Sequence, residues 1–134
     1  PLGSLCLEIT ESGLIENLEL ATQIIQGLSP LKVLLCLDDF GTGYSALGYL
    51  HQLPIHVLKI DKSFIDNLKT TANPLIDAIL TLAISLDLIV IAEGIESPEQ
   101  LAILQKTQCD YGQGFLKSKP VTAKEAILLI HSPL

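Results

Sequence analysis

Five times along the chain a short apolar run gives way to a stretch whose apolar residues recur at helical spacing. The runs are LCLEIT from Leu5, KVLLCLDD from Lys32, HVLKID from His56, LIVIAEG from Leu88 and YGQGFL from Tyr111. The helical stretches are Leu14–Leu28, Ser45–Leu53, Pro74–Leu86, Pro98–Thr107 and Ala123–His131. Strands apolar on both faces, each separated from the next by a helix's worth of chain, form a parallel sheet with helical crossovers. The expected fold class is α/β, a partial TIM-type (β/α) barrel of about five units, where closure takes eight. Pro74 and Pro98 suit first-turn positions, and Ser97 and Thr122 suit N-caps.

With 134 residues, 49% of them hydrophobic, the chain has material for one core. Residues 1–4, PLGS, read as the remnant of tag cleavage, which leaves 5–134 as the domain. A net charge of −7 without a Lys/Arg cluster excludes a surface that tracks DNA or RNA phosphates. No run approaches the roughly 18 apolar residues of a membrane span, so a cytoplasmic protein is expected. Cys6, Cys36 and Cys109 are odd in number and far apart, and read as reduced, buried thiols. His51, His56 and His131 read as surface or packing residues.

Each apolar run ends in ionisable or amide side chains: Glu8 and Glu11, Asp38 and Asp39, Lys59 and Asp61, Glu93 and Glu96, and Gln113. One such ending would be an ordinary helix cap. Five in succession, dominated by carboxylates, point to a site at the carboxyl edge of the sheet, where barrel enzymes place their chemistry. Clustered carboxylates share protons or bind cations. Oxygen donors without His or Cys suit Mg²⁺, Mn²⁺ or Ca²⁺ rather than zinc. With Lys59 as the remaining positive group, metal-assisted hydrolysis of a phosphodiester is the reaction class this pattern favours.

The ordered segments LEITES, DDFGTGYSAL, LKIDKSFI, AEGIESPEQL and QGFLKSKP resemble the EAL domain, the phosphodiesterase that linearises the bacterial messenger cyclic di-GMP to pGpG. The resemblance runs from Leu5 to Pro120. It implies Mg²⁺ or Mn²⁺ held by Glu8, Asp38 and Asp39, with Asp38 bridging two ions. It also implies that Lys59 and Gln113 hold the attacking water, that Glu93 is the general base, and that Glu96 contacts a guanine. Phe40, Gly41, Thr42 and Gly43 resemble the family's loop that couples substrate, metals and dimerisation, and Glu11 the residue that steadies it. Phe115-Leu116-Lys117 departs from the more usual aromatic-rich run there.

The family's naming Glu-Ala-Leu motif and a further metal-binding Asn belong to strands that would precede LEITES. By the resemblance, about three β/α units and two ligands stand outside this sequence, so turnover by this chain alone is expected to be weak or absent. Uncovered strand edges predict a homodimer or higher oligomer. The rival readings are a module that binds cyclic di-GMP or a protein without cleaving it, and an assembly piece with idle site residues.

Overall fold

The structure, a computed structural model, describes residues 5–42, 47–68 and 73–130, Leu47 by its backbone alone. Five strands form one parallel sheet in chain order: β1 (Cys6–Thr10), β2 (Leu34–Phe40), β3 (Val57–Ile60), β4 (Ile89–Ala92) and β5 (Tyr111–Gly112). Strand order without a reversal separates an arc of a barrel from a doubly wound sheet, whose order turns back at a switch point. The architecture is thus the expected partial (β/α) barrel. Its helices are α1 (Glu11–Glu16), α2 (Leu18–Leu28), α3 (Leu47–Leu50), α4 (Lys62–Asp66), α5 (Pro74–Ser85), α6 (Pro98–Leu104) and α7 (Ala123–Ile130).

The period of two along each strand sorts the side chains into two faces. Leu35, Leu37, Leu58, Ile60, Val90 and Ala92 join Leu14, Ile25, Ile76, Leu80 and Leu104 of the helices in one apolar cluster. Cys36, Val57 and Lys59 alternate with these and are buried outside that cluster. All four residues of β3 are buried, whereas β1 is mostly exposed and β5 is exposed.

Several boundaries differ from the sequence reading, each for a local reason. The single helix expected over Leu14–Leu28 is two helices. Asn17 leaves the helical region and accepts a hydrogen bond from Leu20 N–H, so it caps the second one. Of the helix expected from Ser45 to Leu53, Leu47–Leu50 is helical, and Ser45 lies outside the described residues. The short α4 carries too little apolar periodicity to be read, but Asp61 announces it by capping Ser63 N–H at 2.9 Å. Ser97 and Gln100 form a reciprocal capping box at α6. At α5, Asn73 supplies the cap and Pro74 follows it. The three cysteines are free thiols, but of the three expected to be buried only Cys36 is: Cys109 is half-buried, and Cys6 is exposed because β1 is an edge strand with little covering it. Among the described residues, no helix is long and apolar enough to cross a membrane.

Candidate active site

The carboxyl ends of the strands converge on one ammonium group. Lys59, next to last in β3, is 5% exposed, and its Nζ lies 2.7 Å from Glu93 Oε1, 3.1 Å from Asp38 Oδ1 and 3.2 Å from Glu8 Oε1. The three partners come from β1, β2 and the residue after β4, so the sheet itself brings together side chains up to 85 positions apart. Burial alone pushes the Lys59 ammonium down, but the bonds to Glu93, Asp38 and Glu8 outweigh it and hold its pKa above the ordinary 10.5. Burial pushes the Glu93 carboxyl up, partly offset by Lys59. Asp39 is raised as well, by burial first and then by Asp38 and Asp61.

In a regular strand neighbouring side chains point to opposite faces, yet Asp38 and Asp39 serve the same cluster. The pairing of β2 with β3 shows how: Leu37 opposes Leu58 and Phe40 opposes Ile60, so one extra residue bulges out of β2. Asp39 sits at the bulge with φ of 55°, a left-handed conformation that side chains seldom adopt, and its N–H bonds to Asp38 Oδ1 at 3.0 Å. The result is that Asp38, Asp39 and Glu93 each offer a carboxylate oxygen within 4.8 Å of the others. Three oxygen donors without nitrogen or sulfur fit a hard divalent cation. Glu8, expected as a metal ligand, stands outside that trio and is held by Lys59.

The loop after β2 is pinned from a distance. Glu11, fully buried at the start of α1, accepts Gly41 N–H on Oε2 at 2.8 Å. Gly41 has φ of 95° and packs so closely on Phe64 that a Cβ would lie 2.6 Å from its ring. Phe40 is buried, and Thr42 bonds back to Asp39 O through both N–H and Oγ1. Gly43 lies outside the described residues.

Gln113 and Glu96 do not join the Lys59 cluster by any direct bond. They line a neighbouring cavity of about 260 Å³ with Lys62, Glu93, Gly94, Gly114 and Phe115. Glu96 is exposed and ion-paired with Lys62, a residue the sequence reading passed over. Lys62 runs across Gly94, whose φ of 70° and lack of a side chain make room for it. Gln100 also fixes this loop, taking Glu96 N–H and Ser97 N–H on Oε1 and donating from Nε2 to Ile65 O. His56 packs at the far end of the sheet, where Nδ1 accepts Leu35 N–H at 3.1 Å.

A pH prediction follows from Lys59. Its folded pKa is raised, so its contribution to stability is whole below about pH 10.5, the unfolded value, and is lost as pH climbs toward the folded one. The slope over that window approaches about 1.4 kcal/mol per pH unit. In EDTA, the thermal midpoint of the natural chain should therefore fall more steeply above pH 10.5 than that of Lys59→Met. Parallel curves would remove the linkage.

The sequence model of the EAL domain matches residues 1–120. The chain is 43% identical over 117 residues to cyclic di-GMP phosphodiesterase NbdA of Pseudomonas aeruginosa, covering 86% of this chain and 15% of that protein. It is 45% identical over 119 residues to cyclic di-GMP phosphodiesterase PdeR of Escherichia coli, covering 87% of this chain and 18% of that one. Among solved structures it superposes on the EAL domain of Mycobacterium smegmatis DcpA with a TM-score of 0.87 at 40% identity, over 100% of this chain and 61% of that one. It also superposes on the PaMucR phosphodiesterase in complex with c-di-GMP, with a TM-score of 0.83 at 38% identity, over 91% of this chain and 50% of that one. The chain thus spans under a fifth of these curated relatives and 50% to 61% of the solved chains. With its ordered strands and its acidic carboxyl edge, it belongs to the EAL domain family.

Proposed function

We propose that this chain supplies the carboxyl-terminal part of a metal-dependent phosphodiesterase domain that hydrolyses cyclic di-GMP to linear pGpG. The observation that carries the reading is the meeting of Lys59 with Glu8, Asp38 and Glu93, and of Asp39 with the latter two, at the sheet edge where barrel enzymes react. Mg²⁺ or Mn²⁺ held by Asp38 and Asp39, which Glu8 would join only on leaving Lys59, would supply Lewis acidity toward the phosphate and ease the deprotonation of water. Glu93, with its raised pKa, suits proton acceptance. Lys59 offsets charge growing on the phosphoryl oxygens. Gln113 and Glu96 line the adjoining cavity, where Gln113 would orient water and Glu96 would meet the donor edge of a guanine.

The test is incubation of the chain with cyclic di-GMP and Mn²⁺ or Mg²⁺, with chromatographic resolution of pGpG. Product that disappears in Asp38→Asn supports the reading for this chain. Absence of product, with binding retained in calorimetry, favours the second reading, a module that binds without cleaving.

The open edges favour self-association. Tyr111 of β5 is 64% exposed and Leu7 of β1 is 38% exposed, beside Leu5 at 56%. Unpaired strand edges carrying apolar side chains attract further strands. A homodimer or larger assembly is expected by light scattering at micromolar concentration, and a folded monomer there would rule it out.

A further inference from the structure

We propose that Lys59 is an internal counter-cation, a positioning residue that competes with a divalent ion for the carboxylates of the site and so sets how tightly that ion binds. The inference rests on the reading of this edge as a cation site. An ammonium group has three donors and no acceptor. Lys59 Nζ lies within ion-pair reach of three carboxylates, Glu93 at 2.7 Å, Asp38 at 3.1 Å and Glu8 at 3.2 Å, as many as it has donors. Two of those carboxylates, Asp38 and Glu93, also belong to the oxygen trio that fits a hard cation.

Two physical effects act in the same direction. A positive charge a few ångströms from the trio repels an incoming dication, and the Lys59 side chain, 7% exposed, is screened little by solvent. Lys59 also relieves the mutual repulsion of the carboxylates, so the protein without a cation is stabilised and gains less when one arrives. Removing Lys59 should therefore tighten cation binding. There is a corollary for the order of events. Paired with three carboxylates, Lys59 can bond a phosphate oxygen only after releasing one, so a phosphate ester should bind well only once a cation has taken Asp38.

The experiment is a titration of the full chain and of Lys59→Met with Mn²⁺ after EDTA removal, at fixed pH and ionic strength, following free Mn²⁺ by electron paramagnetic resonance. Lys59→Met is expected to bind Mn²⁺ at least about tenfold more tightly than the natural chain, given the strength of charge interactions at this separation. Asp38→Asn added to Lys59→Met should reverse the gain. If the natural chain binds Mn²⁺ and Lys59→Met binds it equally or more weakly, the competition is overturned while the cation reading stands. If neither binds, both fall. Should Lys59→Met unfold in EDTA, circular dichroism during the titration carries the test, because a ligand specific to the folded state restores it in proportion to affinity. Refolding at Mn²⁺ concentrations that leave the natural chain unsaturated supports the proposal, and refolding at none overturns it.

Discussion

Gly114→Ala is expected to cost about 3 kcal/mol of folding stability, near the upper end for forced overpacking. The reason is backbone. A Cβ at Gly114 would lie 2.0 Å from Ile95 O and 2.3 Å from Ile95 N, and neither can swing aside as a side-chain tip could. Those atoms are also committed: Ile95 N–H bonds to Gln113 O at 3.0 Å, and Leu116 N–H bonds to Ile95 O at 3.0 Å. The segment after β5 is zipped to the loop after β4, and the missing side chain at Gly114 lets the two come that close. Gly27 in α2 provides the opposite case. Nothing lies within 4 Å of its Cβ position, so Gly27→Ala should stabilise by up to about 1 kcal/mol through helix propensity. Thermal melts of the pair check both signs. Equal midpoints would refute the close approach.

The parallel α/β class, the strand order and the carboxyl-edge clustering were all legible in the sequence, because apolar periodicity and strand endings depend on neighbours a few residues apart. What was hidden depended on partners far along the chain. That Asp38 and Asp39 both serve one cluster requires the bulge opposite Leu58 and Ile60, and a run reading Leu-Asp-Asp-Phe carries no sign of it. The same holds for Lys62, whose pairing with Glu96 spans 34 residues and needs Gly94 beneath it. Gly94 and Gly114 were visible as glycines, but which contact excluded a side chain could be learned only from the packing. Asn17 shows the converse: the signal that splits the first long helix is local, an Asn before Leu-Glu-Leu, and was overridden by the apolar period running through it.

Glu11 and Lys59 are the two buried charged residues among those described, and they divide the work of holding the site. Lys59 gathers carboxylates, whereas Glu11 holds backbone: its Oε2 accepts Gly41 N–H at 2.8 Å, two residues beyond the strained Asp39. A left-handed aspartate persists only where its surroundings fix it. Glu11→Ala removes a charged acceptor, leaves Gly41 N–H facing the space the side chain filled, and should cost about 2 to 3 kcal/mol. Glu11→Gln keeps an acceptor at the same reach and should recover most of that loss. The pair separates the hydrogen bond from the charge. A further consequence concerns Asp39 itself, since a loop no longer pegged at Gly41 lets the bulge relax and takes one oxygen from the trio with Asp38 and Glu93. The Mn²⁺-induced rise in thermal midpoint should therefore shrink in Glu11→Ala and survive in Glu11→Gln. If both variants melt alike and respond alike to Mn²⁺, the peg is not what holds Asp39 in place.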